Sequence, residues 1–177
     1  LEQNPRILDL CTGSGCIGLA IAHQIETARV TLADLSQPAL RIARKNIADL
    51  KMIGRVNALQ ADVREPAPKF WGQFDLIVSN PPYVTGEEME VLPDSVRNYE
   101  PHMALFGGAD GLDFYRSISE KWKEALAPGG RLYFEVGIGQ ADEVLRIMRS
   151  VGFGDLEITP DLNGIPRVVE GVLHKEL

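Results

Sequence analysis

The sequence has little cysteine, little histidine and no surplus of positive charge. Its 177 residues include 2 Cys and 3 His. Cys11 and Cys16 share one glycine-rich turn, in a spacing that is neither a disulfide framework nor a CxxC metal pair. A reducing, cytoplasmic setting follows, with both thiols read as small buried fillers. His23, His102 and His174 are scattered without ligand spacing, so no metal is expected. Lys and Arg total 18 against 25 Asp and Glu, a net charge of −7. A protein that coats nucleic acid would be basic, and here the basic residues form no long run. No apolar run approaches the roughly 18 residues of a membrane span, and no signal-peptide pattern opens the chain. Internal repeats and low-complexity tracts are missing too. Leu1 rather than Met comes first, with a strand-like segment close behind. That reads as a trimmed domain with sequence missing upstream.

What is present is an ordinary core-forming composition, 45% hydrophobic and 24% charged. A chain of this length removes roughly 70% of its unfolded surface from water, enough for one domain with a true core. Strand-like apolar runs alternate with helix-like segments. Strands are expected at Arg6–Leu10, Arg29–Asp34, Val56–Gln60, Phe74–Ser79 and Arg131–Val136, with two more at Asp155–Ile158 and Val168–Leu173. Helices are expected at Ile17–Gln24, at Pro38–Lys51 (capped by Ser36), at Leu112–Leu126 (stopped by Pro128-Gly129-Gly130) and at Ala141–Val151. This order predicts an α/β fold, a mainly parallel sheet with helices on both faces. Ligands of such sheets sit beyond the carboxyl ends of the strands, at the switch in strand order. The stretch Val84–Gly111, with Pro93, Pro101, Gly107, Gly108 and Gly111, reads as a long irregular loop, which is usually functional or mobile.

Two strand ends carry chemistry. Strand one runs into Asp9-Leu10-Cys11-Thr12-Gly13-Ser14-Gly15-Cys16-Ile17-Gly18, a literal G-x-G-x-x-G. Glycine permits positive φ and close ligand approach, and the helix that follows offers free N–H groups. Asp34, closing strand two, can accept hydrogen bonds from ribose hydroxyls. Asp62, closing strand three, could reach an adenine amino group. Asp9 separates two cofactor classes. An acid before the turn suits the ammonium of an amino-acid moiety and would be an odd neighbour for a pyrophosphate.

Strand four runs into Asn80-Pro81-Pro82-Tyr83. An amide or aromatic amine nitrogen has a delocalised lone pair and two N–H donors. The Asn80 side-chain oxygen and the Pro81 carbonyl can accept both, aiming the nitrogen at an electrophile and stabilising the charge that develops on it. The prolines fix φ and remove competing donors, and Tyr83 offers an aromatic face or a hydroxyl to a planar target.

The glycine turn, Asp34, Asp62 and Asn80–Tyr83 together resemble class I S-adenosylmethionine-dependent methyltransferases acting on planar nitrogens. The run Tyr99-Glu100-Pro101-x-x-Ala104-Leu105-Phe106-Gly107-Gly108-x-Asp110-Gly111-Leu112-x-x-Tyr115-Arg116 narrows the likeness to the release factor glutamine methyltransferases. So do Phe134-Glu135-x-Gly137-x-x-Gln140, Gly152-Phe153 and Asp161-Leu162-x-Gly164-x-x-Arg167-Val168-Val169. The resemblance covers essentially the whole chain. It implies a Rossmann-like sheet of seven mostly parallel strands, the last antiparallel. It also implies methyl transfer from S-adenosylmethionine, without metal, to the N5 amide nitrogen of the glutamine in the Gly-Gly-Gln motif of class 1 peptide chain release factors, leaving S-adenosylhomocysteine. On this reading Asp9, Cys11, Thr12, Gly13, Ser14, Gly15, Asp34, Leu35, Asp62, Val63 and Asn80 form the cofactor side, with only an aliphatic contact from Val63. Asn80, Pro81, Pro82 and Tyr83 hold the glutamine.

Residues 1–177 would be the catalytic domain of a cytoplasmic monomer that binds neither membrane nor nucleic acid directly. The helical N-terminal domain with which such enzymes grip the release factor lies outside these residues. Cys11 departs from the family's usual glycine and needs a φ that cysteine can adopt.

The weaker candidates divide between function and packing. Glu100, Phe106 and Asp110 either shape the target pocket or pack the loop. Glu135 is read mainly as a structural hydrogen-bonder, Tyr115 and Trp122 as packing residues, and Trp71 has no evident task. Three rivals stand beside the main reading. One is an adenine-N6 or guanine-N2 methyltransferase of nucleic acids, which shares the Asn-Pro-Pro-Tyr motif. Another is a nicotinamide-dependent oxidoreductase, which leaves that motif unexplained. The third is a non-catalytic cofactor-binding scaffold, against which the intact motif argues.

Overall fold

The computed structural model describes residues 4–91 and 102–174. Seven strands form one sheet: β1 Arg6–Leu10, β2 Arg29–Asp34, β3 Val56–Gln60, β4 Phe74–Ser79, β5 Leu126–Glu135, β6 Phe153–Pro160 and β7 Pro166–Leu173. Their order is β3-β2-β1-β4-β5-β7-β6. The pairs among β1 to β5 are parallel, and β7 runs antiparallel to both β5 and β6. The described helices are α1 Cys16–Gln24, α2 Gln37–Asp49, α3 Gly86–Val91, α4 His102–Leu105, α5 Asp113–Lys121 and α6 Ala141–Ser150. The first four strands have the bounds expected from their apolar runs, and Ser36 caps α2 by accepting from Ala39 N at 3.3 Å.

Alternation along β1 divides the core. Ile7 packs with Leu19, Leu32, Leu40 and Ala43 beneath α1 and α2. Leu8 and Leu10 pack with Ile77, Ile118, Trp122 and Leu132 on the opposite face. Asp9 follows the parity of Ile7 and so points under α1. There the helix meets the sheet through glycine. A Cβ on Gly18 would stand 2.3 Å from Leu32 Cδ2 and 3.1 Å from Asp9 Cβ. Tyr115 and Trp122 are packing residues, as expected. Tyr115 meets Phe134 edge-on at 5.2 Å, and Trp122 meets Trp71 at 5.8 Å. Trp71 therefore does have a task, and its carbonyl also accepts from Arg6 Nη2 at 2.6 Å.

Two segments differ from expectation. The helix expected to run to Leu126 ends at Lys121, and after a 3₁₀ turn at Lys123–Ala125 strand β5 already begins at Leu126. Pro128-Gly129-Gly130 makes a bulge inside that strand, the register passing from Phe74↔Leu126 to Leu76↔Arg131. Gly129 supplies the positive φ of 74° that the bulge requires. The stretch expected to be an irregular loop contains α3 and α4. Val84 N donates to Leu105 O and Gly107 N to Val84 O, both at 2.9 Å, so the two ends of the segment are tied together. A Thr85–Glu88 capping box starts α3, with Thr85 N donating to Glu88 Oε2 at 2.9 Å and Glu88 N to Thr85 Oγ1 at 3.2 Å. Pro93, Tyr99, Glu100 and Pro101 lie outside the described residues.

The Gly18 contact gives a stability prediction. Gly18→Ala has no room for its methyl between α1 and β2 and is expected to destabilise the fold by about 1–3 kcal/mol. Urea denaturation would show a lower midpoint at unchanged slope. An unchanged midpoint would refute the packing argument.

Candidate active site

The sheet reverses its order between β1 and β4, and the next residues after these two strands are Cys11 and Asn80. Leu10 and Ser79 are register partners, and Ser79 Oγ donates to Leu10 O at 2.7 Å. The two sequence-predicted segments thus emerge side by side.

The turn after β1 is a shelf of left-handed residues. Cys11, Gly13 and Gly15 have φ of 56°, 57° and 91°. Cysteine does adopt the conformation in question, at a cost of roughly 1–2 kcal/mol that glycine would not incur. Burial and the Asp34 charge push the Cys11 thiol up, so it remains protonated and is not a nucleophile. Cys16, expected to be buried, is instead exposed. The shelf is pinned from below and beside. Thr12 N donates to Ala33 O at 3.0 Å, and Asn46 Nδ2 donates to Ser14 O at 2.9 Å. Asp34 accepts from Gly13 N and Ser36 N, each at 2.8 Å. The half-buried Asp34 carboxylate therefore joins the end of β2 to the shelf and keeps further lone pairs for a ligand.

Asp9 lies underneath, 1% exposed. Its Oδ2 accepts from Thr12 Oγ1 at 2.6 Å and from Gly18 N at 2.9 Å. Its Oδ1 is buried and has no partner among the described residues. Burial pushes the carboxyl up to about 6, against the pull of the Thr12 and Gly18 bonds.

Asp62 and Val63 follow β3. The Asp62 carboxylate is gripped by Arg64, at 2.6 Å to Nη2 and 2.9 Å to Nε, which holds it below the usual carboxylate range. Val63 is buried, and its carbonyl accepts from Trp122 Nε1 at 3.1 Å and Ser117 Oγ at 2.8 Å. Leu35 is partly exposed beside Asp34, its carbonyl accepting from Gln60 Nε2 at 3.0 Å.

On the other side of the switch point, Asn80 is exposed and its amide makes no hydrogen bond among the described residues. Pro81 and Pro82 are buried and Tyr83 is half-buried. Arg167 lies beside Tyr83 and donates to Glu135 Oε1 at 3.0 Å, and the two neighbours together hold its guanidinium charged. Glu135 is the structural partner it was expected to be. Asp110 turns out to pack the loop, accepting from Arg116 Nη1 at 3.0 Å and Leu112 N at 3.1 Å. Phe106 stands near Gly86, and its backbone pairs with Val84. Sequence reasoning missed Ser79, Asn46 and the side chain of Gln140, which donates to Tyr83 O at 3.1 Å. Each makes a bond to a partner distant in sequence, and although Gln140 stands in a quoted pattern, that pattern does not show what its amide holds.

The buried acid gives the second prediction. The folded chain holds the Asp9 proton more tightly than the unfolded chain does, since about 6 exceeds the ordinary 3.8. The group therefore favours folding below about pH 4 and loses that contribution as pH rises through about 6, on the order of 3 kcal/mol in all. Asp9→Asn cannot titrate. The stability advantage of wild type over this variant should shrink between pH 4 and pH 7 in urea melts. A constant difference would show that Asp9 does not titrate there.

Residues 1–97 match the family model "Methyltransferase small domain". A release factor glutamine methyltransferase of Clostridium acetobutylicum is 40% identical over 97% of this chain and 60% of its own length. That of Geobacter sulfurreducens is 45% identical over 93% of this chain and 57% of its own. The chain thus spans about 60% of the curated relatives it matches. In fold it is similar to a methyltransferase from Pyrococcus furiosus, with a TM-score of 0.70 at 16% identity over 97% of this chain and 76% of that one. The family model covers more than half of this chain's residues, and this chain belongs to the methyltransferase small domain family.

Proposed function

We propose that this chain is the catalytic domain of a cytoplasmic, S-adenosylmethionine-dependent methyltransferase acting on the glutamine side-chain amide of the Gly-Gly-Gln motif in class 1 release factors. The observation that carries the reading is the pairing of Leu10 with Ser79, which sets the cofactor shelf beside the Asn80–Tyr83 turn. The names of the curated relatives support the substrate. Substrate grip beyond the catalytic domain is assigned to the part of those relatives that this chain does not span.

The residues present suit such a cofactor. The left-handed shelf leaves open space above Gly13, where a Cβ would meet nothing within 4 Å. Asp34 offers a carboxylate to the ribose hydroxyls. The buried Oδ1 of Asp9 has no donor among the described residues, and it lies in the element that would carry the cationic amino-acid end. Leu35 and Val63 would supply apolar contact to the adenine side, and Asp62 would act once its grip on Arg64 is shared. When bound, S-adenosylmethionine supplies an electrophilic methyl group.

The chain's own part is alignment. The Asn80 side-chain oxygen and the Pro81 carbonyl accept the two N–H bonds of the target amide, so its nitrogen faces the shelf. The buried prolines hold this edge rigid and bring no N–H of their own. Charge that develops on nitrogen is stabilised by the same two oxygens. No general base is required, because an amide nitrogen that has gained a fourth bond sheds its proton readily. The half-buried Tyr83 lines the site for the planar amide.

The test is label transfer from radiolabelled S-adenosylmethionine to an intact class 1 release factor. The same factor with Gln→Ala in its Gly-Gly-Gln motif, and DNA and RNA, serve as controls. Label is expected on the intact factor alone, and label on nucleic acid would overturn the reading. Asn80→Ala should lower turnover about 10²–10³-fold in a folded protein. Asp34→Ala should weaken cofactor binding roughly 10–100-fold in a calorimetric titration, the value of a hydrogen bond to a charged group. Unchanged affinity would remove Asp34 from the site.

A further inference from the structure

Gln140 precedes α6 but does not cap it with its side chain. Its amide instead joins its own turn to three other positions in the chain. Oε1 accepts from Gly137 N at 3.0 Å and from Tyr115 OH at 3.4 Å. Nε2 donates to Tyr83 O at 3.1 Å and to Gly111 O at 3.5 Å. A primary amide has two donors and an oxygen with two lone pairs, so this one is fully engaged. Its orientation is dictated by its partners, since a backbone N–H can only donate and a backbone carbonyl can only accept. Glutamate could not make the same set, because an ionised carboxylate has no hydrogen to give Tyr83 O.

The surroundings are built to admit this amide. A Cβ on Gly137 would stand 2.6 Å from Gln140 Oε1 and 2.9 Å from Tyr83 Cδ2. One on Gly111 would stand 2.3 Å from Tyr83 O and 2.7 Å from Gln140 Nε2. One on Gly107 would stand 2.6 Å from Tyr83 Cα. Three bare backbone positions from two loops close around the last residue of the Asn80–Tyr83 turn, and the Gln140 amide fastens it. Pro81 and Pro82 have no N–H, so the turn has few main-chain anchors of its own.

We propose that Gln140 is a positioning residue for methyl transfer: by holding the Tyr83 carbonyl, it fixes the acceptor edge that aims the target amide. This inference rests on the reading of Asn80–Tyr83 as the amide-holding turn. Among the described residues Gln140 makes no hydrogen bond to the shelf residues Cys11 to Gly15, so cofactor binding should not depend on it. The ionisable groups around the amide are Tyr83, Tyr115, Glu135 and Arg167. The last two form an ion pair at 3.0 Å, and burial pushes the Tyr115 hydroxyl up.

The experiment compares wild type with Gln140→Met and Gln140→Glu. It measures turnover and KM on the intact release factor, cofactor affinity by calorimetry, and amide hydrogen exchange at Val84, Gly107 and Gly111. Gln140→Met should bind cofactor within twofold of wild type and lose 10- to 100-fold in kcat, the scale of a misplacement near 1 Å. Exchange should rise at Val84, Gly107 and Gly111 and stay unchanged across residues 12–18. Gln140→Glu should show the same loss at pH 8. Its activity relative to wild type should recover towards pH 5, where a protonated carboxyl can again donate to Tyr83 O. A kcat within twofold of wild type in both variants overturns the proposal. So does a uniform loss of cofactor affinity without recovery at low pH, which would mark a merely structural residue. If wild type itself transfers no methyl and binds no cofactor, the functional reading fails. The exchange pattern then decides the clamp separately, and unchanged exchange at Val84, Gly107 and Gly111 overturns it.

Discussion

The site depends on a bond that neither touches a ligand nor belongs to any motif. Ser79 Oγ donates to Leu10 O at 2.7 Å, and Ser79 is buried. Here the sheet changes direction: β1 continues into the glycine shelf, and β4 continues into the Asn-Pro-Pro-Tyr turn. A parallel pair at a switch point diverges, because each strand leads to a connection on its own side. A buried carbonyl left unpaired costs about 1–3 kcal/mol. The hydroxyl satisfies it from the neighbouring strand, and so the shelf and the turn leave the sheet at a fixed separation.

Left-handed residues are what make the shelf. Three of the five residues from Cys11 to Gly15 have positive φ, and only two of these are glycine. The strain at Cys11 is offset by its neighbours. Thr12 N is anchored to β2, Gly13 N to Asp34, and the Thr12 hydroxyl to Asp9. Asp9 is itself held at an unfavourable place, since burial raises its carboxyl from the ordinary 3.8 to about 6. Strain and a desolvated acid at one turn are usual where a backbone is shaped for a ligand rather than for stability.

Much of this was legible in the residues alone. The buried runs Arg6–Leu10 and Phe74–Ser79 are short, apolar and bounded by glycine or proline, so strand period and punctuation agree. The shelf and the Asn80–Tyr83 turn are contiguous in sequence and show as motifs. Less visible was what long-range contact decides. Asp113–Trp122 has a helical pattern that continues through Leu126, but Leu126 pairs with Phe74 and the sheet claims it. Pro128-Gly129-Gly130 signals a break without saying whether a helix stops or a strand bulges. Asp62 has a local partner two residues away, and its pairing with Arg64 was as readable as the Thr85–Glu88 cap. Both are short-range polar patterns overshadowed by the stronger motifs beside them.

Cofactor side and target side rest on separate bonds. The shelf is held by Asp9, Ala33, Asp34 and Asn46, all on or beneath β1, β2 and α2. The turn is held by Gln140, with Tyr115, Glu135 and Arg167 grouped around it at the end of β5. Except across the Leu10–Ser79 junction, the two sets have no hydrogen bond in common among the described residues. A protein built in this way can adjust one side without loosening the other. On the proposed function the shelf would recognise a ligand of constant shape, for which short, local hydrogen bonds encoded in a motif suffice. On the same reading the turn would receive part of a macromolecule, and its fastening comes from loops brought together late in the chain. That division explains why Asp34 could be named from the sequence, while the amide that holds Tyr83 could be found only in the fold.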